Sequence, residues 1–132
     1  METPQELIGD AIANAAQSLV GPGDWLTGGQ RRAATLEARD ARTNELDQQR
    51  REAISPNAVE GQHAGVGDLV PEAVGVVHRI ASDPGRLTRA WADEMIAVLG
   101  EETYTELVGI AACTAVLDVF SWAMTSADAE ID

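Results

Sequence analysis

Residues 103–124 read TYTELVGIAACTAVLDVFSWAM, and this stretch decides the fold. Thr103 and Glu106 stand three residues apart, the spacing at which a hydroxyl and a carboxylate cap a helix start reciprocally. Leu107, Ile110, Ala111, Leu117, Phe120 and Met124 follow at helical spacing, so one face is apolar. Within this most apolar part of the chain, Asp118 and several small polar residues interrupt what would otherwise resemble a membrane span. The spacing predicts a helix over 103–124, with the polar end SADAEID as a frayed tail.

Working outward, the same punctuation recurs. Gly100 is placed to close a preceding helix whose Leu87, Trp91, Met95 and Leu99 are spaced by four. Ser82-Asp83-Pro84 separates that helix from one carrying Val70, Val74, Val77 and Ile80, with Asp68 as its predicted cap and Pro71 near its start. Residues 55–68, SPNAVEGQHAGVGD, are rich in turn formers and read as a loop. Before it, Thr27 and Gln30 begin a helix predicted to run from about Gly28 to Ile54 and to end at Ser55-Pro56. At the N-terminus, Thr3-Pro4-Gln5-Glu6 starts a helix that Gly21-Pro22-Gly23 stops. Five to six helices with short connections make an all-α bundle, one domain over 1–132 with residues 1–3 and 125–132 as tails.

Composition supports the helical reading. Ala is the commonest residue with 22 copies, against one Tyr, one Phe and three Trp, and Ala favours closely packed helices over sheets. The net charge is -13, from 22 acids and 9 bases that are all Arg. Such a balance repels a phosphate backbone and an anionic lipid surface, so neither a nucleic acid nor a membrane is an expected partner. The charge is uneven. Residues 31–52 hold six Arg and five acids, whereas nine acids and no base follow Arg89. That acidic surface reads as solvated, or as docking ground for a basic protein partner. METPQELIGD lacks the basic and apolar regions of a signal peptide, and a cytoplasmic location is expected.

One Cys, Cys113, excludes an internal disulfide framework, a CxxC redox pair and a cysteine-rich zinc site. Its apolar neighbours predict a buried, structural thiol. His63 falls in the Gly-rich loop and reads as solvated. His78 falls in an apolar helix and reads as structural, although either could act as an acid or base near neutral pH. A His–carboxylate site from Glu60, His63, His78 and Asp83 lacks any HxxxH or HExxH spacing, so no metal or other cofactor is expected. Asp118, on an apolar helix, needs a cation, for which Arg79, Arg86 and Arg89 are the candidates.

The segments VVHRIASDPGRLTRAW (76–91) and YTELVGIAACTAVLDVF (104–120), with GPGDWLTGGQRRA, LEARDART and EAISPNAVEG before them, resemble bacterial AhpD-like proteins of the carboxymuconolactone decarboxylase superfamily. The likeness is to an alkylhydroperoxidase-related branch and covers about residues 20–124. Active members carry a Glu, then eleven residues, then CxxC, then three residues and a His, in which one thiolate attacks the peroxide and the second resolves it. In that register this chain has Arg32 at the Glu position, Asn44 and Asp47 at the two Cys, and Arg51 at the His. The resemblance therefore implies an AhpD-like bundle without redox chemistry, acting as a structural or interacting subunit of a homo-oligomer. It leaves open an acid–base enzyme of the decarboxylase type, with His63, His78, Asp47 and Arg51 as candidates around a pocket between helices, or a small-molecule carrier. The chain is expected to show no thiol-dependent hydroperoxidase activity. Peroxide consumption coupled to a thiol reductant, and lost in Cys113→Ser, is the result that would refute this.

Overall fold

The computed structural model describes residues 3–21, 23 and 25–131. Six α-helices run in order: α1 Pro4–Val20, α2 Gly28–Asp40, α3 Glu45–Glu52, α4 Pro71–Ser82, α5 Arg89–Leu99 and α6 Glu101–Ile131. Single 3₁₀ turns cover Pro56–Ala58 and Pro84–Arg86. Among the described residues there is no β-strand, only an isolated bridge between Val66 and Leu69. The protein is an all-α bundle.

The predicted starts of α1 and α2 are built as read. Thr3 and Glu6, and Thr27 and Gln30, exchange reciprocal side-chain and backbone bonds. Pro22 of the predicted stop after α1 lies outside the described residues, as do residues 1, 2 and 132 of the predicted tails. Gly100 closes α5 at φ +87°, in the left-handed region that favours glycine, so α6 follows with no intervening loop.

Three expectations are corrected. The single helix over 28–54 is two helices, because Asn44 starts a new one: its Oδ1 accepts from the Asp47 N–H and its Nδ2 donates to Asp40. The cap before α4 is Val70, not Asp68. The last helix begins at Glu101, not Thr103, and continues through Ile131 across the segment read as a tail. Glu106 consequently caps nothing on its own helix. It accepts from the backbone of Trp25 and Leu26 and pairs with Arg31, tying α6 to the loop before α2.

α6 packs on α1, α2 and α4, and the buried core lies where its first half meets α2 and α4. Leu107, Ile110 and Ala111 of α6 pack with Ala34 and Ala38 of α2 and with Ala73, Val74 and Val77 of α4. The small residues on α2 leave room for the facing helices to approach closely. Glu101–Ser126 is apolar and long enough to cross a membrane by length and composition alone. Its first half is nonetheless a core helix. Its second half leaves Val119, Phe120 and Trp122 exposed, at 63%, 53% and 71%.

Candidate functional site

Asp47 sits in the first turn of α3 and is fully buried. A buried carboxylate needs partners, and two histidines supply them. His63, from the loop before α4, places Nε2 3.0 Å from Asp47 Oδ1. His78, in the middle of α4, places Nδ1 2.5 Å from Asp47 Oδ2. The other nitrogen of His78, Nε2, lies 3.0 Å from Glu37 Oε1 on α2. The two rings stack, with centroids 3.8 Å apart. Four side chains from three helices and a loop thus form one chain, Glu37–His78–Asp47–His63.

Protonation follows from donor and acceptor counting. Carboxylate oxygens only accept, and His78 faces one at each nitrogen, so both nitrogens carry a proton and the ring is a cation. Burial alone would lower the pKa of His78, but hydrogen bonds to Asp47 and Glu37, and their charge, raise it above 6.5. Burial alone would raise the pKa of Asp47. Hydrogen bonds from His63 and His78, and their positive charge, outweigh it and hold the carboxyl at about 2. An ionised Asp47 accepts from His63 Nε2–H, which leaves Nδ1 as the ring nitrogen not engaged by Asp47. No described residue bonds to that nitrogen.

His63 lines a cleft of about 390 Å³ between α3, α4 and α5. Arg50, Asn57, Glu72, Arg79, Trp91 and Glu94 line it too. Gly61 shapes the entry of the His63 loop. It holds φ +134°, its carbonyl accepts from Arg50 Nη2 at 2.6 Å, and a Cβ there would press on Leu46. Arg86 fixes the far end of α3 by donating to the carbonyls of Arg50, Arg51 and Ala53.

Of the residues singled out in sequence, Asp47, His63 and His78 converge. Asn44 is adjacent, as the cap of α3. Arg32 and Arg51 do not join them: both are exposed, and Arg51 reaches only the Arg42 carbonyl. His63 is buried rather than solvated, because Asp47 draws its ring inward. Cys113 is exposed rather than buried: the core takes Ile110, Ala111 and Thr114 and turns residue 113 outward. Asp118 pairs with Arg39 and Arg42 of the α2–α3 corner, not with Arg79, Arg86 or Arg89. Glu37, Arg50 and Arg79 were not read as site residues. The one signal for Arg79 was its place beside His78 in an otherwise apolar helix.

Donor atoms of Asp47, His63 and His78 lie within 4.8 Å of one another, as do those of Glu37, Asp40 and His78, so either set could surround a metal ion. The nitrogens of His63 and His78 and the oxygens of Asp47 and Glu37 in these sets are the ones that lie within hydrogen-bond distance of one another. No protein-family model, curated protein or solved structure matches the chain.

The site predicts a two-sided stability profile. The contribution of Asp47 is present above about pH 4 and is lost as pH falls from 3.8 through about 2. That of His78 is full below pH 6.5 and is lost as pH rises through its raised value. Thermal melts should therefore plateau between about pH 4 and 6.5 and fall on both sides. His78→Gln should lower stability by about 3–5 kcal/mol at pH 6 and remove the alkaline limb. A native melting temperature unchanged from pH 6 to 9 would contradict a buried cation at His78.

Proposed function

We propose that this chain is an AhpD-like helical protein in which acid–base chemistry at His63 stands in place of thiol redox chemistry. The observation that carries the reading is a single one: His63 has one nitrogen fixed on buried Asp47 and lines a cleft that also holds two arginines. Asp47 keeps the proton on Nε2, orients the ring and stabilises the imidazolium that forms when Nδ1 takes a proton. His78 and Glu37 stand behind Asp47 and hold its carboxylate in place. The reaction class is proton transfer at a carbon next to a carbonyl. In isomerisation of a small lactone or keto acid Nδ1 takes the proton and returns it at another position, and in decarboxylation a protonated His63 delivers one to the enolate left when carbon dioxide departs. Asn44 and Asp47 occupy the N-terminal end of α3, the setting in which a helix would activate a thiolate. With no thiol there, the reading keeps an AhpD-like scaffold and drops the peroxidase reaction.

A panel of carboxylated lactones and β-keto acids, followed by carbon dioxide release and by deuterium uptake from solvent, tests this. His63→Gln should reduce turnover by about 10²- to 10⁴-fold, while Cys113→Ser leaves it unchanged. Turnover that survives His63→Gln, or none across the panel, would defeat the reading.

A second reading, the non-catalytic subunit of a homo-oligomer, is favoured by the outer half of α6. Val116, Val119, Phe120 and Trp122 form an exposed apolar surface there. A second copy is the occupant that fits. The net charge of -13 opposes an anionic bilayer, and Asp118 beside the patch is already paired with Arg39 and Arg42. Self-association is itself compatible with an acid–base site, since the patch and the cleft are separate surfaces; the absence of catalysis is what divides the two readings. Light scattering after size exclusion at two salt concentrations should give a multiple of the chain mass. Trp122→Glu should return it to one chain. A single-chain mass for the native protein at micromolar concentration would remove this reading.

A further inference from the structure

Arg79 is only 5% exposed, yet among the described residues it forms no ion pair. Its Nη1 donates to Asn57 Oδ1 at 2.8 Å and its guanidinium lies 5.3 Å from the centre of the Trp91 ring. Its Nε is buried with no hydrogen-bond partner. Arg50, in the same cleft, spends Nη2 on the Gly61 carbonyl and also leaves a buried Nε without a partner. Two such donors in one place are unusual, because a buried cation without a counter-charge is costly and unmade hydrogen bonds add to the cost.

The nearby acids do not answer them. Asp47 is taken by His63 and His78, and Asp83 by Arg86. Glu72 and Glu94 line the cleft but pair with neither arginine. Burial, and then the positive charge of Arg50, weaken the hold of Arg79 on its proton. Neither guanidinium is therefore neutralised by a direct ion pair among the described residues, although Glu72 and Glu94 balance the formal charge of the cleft lining as a whole.

We propose that Arg50 and Arg79 form an oxyanion-binding subsite, which receives the carboxylate or phosphate group of a small ligand seated against Trp91. Nε and Nη2 make up the edge of a guanidinium that grips an oxyanion through two parallel bonds; on Arg79 the bond to Asn57 is made by Nη1, off that edge, and Nε is left without a partner. Trp91 offers an indole face to the rest of the ligand, and about 390 Å³ is room for a small molecule only. The proposal shares its cleft with the acid–base reading and deepens it, by requiring that the molecule brought to His63 be an anion.

The test uses the full chain in a dilute chloride buffer, titrated separately with benzoate and with inorganic phosphate. The Nε–Hε nuclear magnetic resonance signals of Arg50 and Arg79 and the melting temperature are followed. One or both anions should shift both arginine signals saturably and raise the melting temperature. A response to benzoate alone assigns a carboxylate, and a response to phosphate alone assigns a phosphate. Arg79→Met should bind at least about tenfold more weakly without melting lower in the absence of the anion, since it removes an uncompensated charge. Arg89→Met, on an exposed side chain outside the cleft, should bind as the native protein does. If Arg79→Met does not fold, the arginine signals of the native protein decide the matter. His63→Gln should keep anion binding, so loss of turnover with binding retained would speak for both proposals. Binding without any turnover in the native protein would sink only the acid–base reading. No saturable shift with either anion at tens of millimolar, or equal binding by Arg79→Met, would overturn the subsite.

Discussion

The buried carboxylate of Asp47 is the constraint on which the rest of this structure depends. It lies where water cannot solvate it, so two imidazole rings must come to it, and each arrives on a different part of the chain. His78 brings α4 and, through Glu37, α2. His63 brings the long loop and fixes one wall of the cleft. Removing one partner would leave a charge in a place that tolerates none, which costs more than any single contact in the apolar core. The polar chain thus specifies how α2, α3 and α4 meet, while the apolar crossing of α6 supplies the bulk of the burial.

Local signals made much of the fold legible. Capping boxes at Thr3 and Thr27, the Ser82-Asp83-Pro84 break and Gly100 all act over a few residues, and sequence shows such features directly. The division between α2 and α3 was hidden because Ala41 and Leu46 continue a helical set and no Gly or Pro stands between them. Only the Asn44 side chain's bonds to Asp40 and the Asp47 amide decide against it. The exposure of Cys113 was hidden for a different reason: α6 is apolar around most of its girth, so its sequence does not say which side meets the core.

The site was legible in its members and not in its geometry. Asp47, His63 and His78 were each visible as chemistry-bearing residues. Asp47 lies 16 residues from His63 and 31 from His78, and no local pattern announces contacts at such separations. Arg79 looked like a partner for Asp118 because both lie on apolar helices. In the structure the α2–α3 corner supplies Arg39 and Arg42 instead, and Arg79 faces the cleft. A charge in an apolar segment signals that a partner is needed, but tertiary packing chooses which.

The pairing of α6 with the α2–α3 corner has a consequence for how the chain is made. Glu106 meets Arg31 across 75 residues, and Asp118 meets Arg39 and Arg42 across 79 and 76. During synthesis from the N-terminus, those three arginines emerge long before the acids they will face. The core that α2 and α4 share is likewise completed by Leu107, Ile110 and Ala111. Until α6 is made, the helices before it have one another and the Asp47 chain to pack on, but not the residues that fill the middle of the core, and bringing those in closes a long loop at a late step.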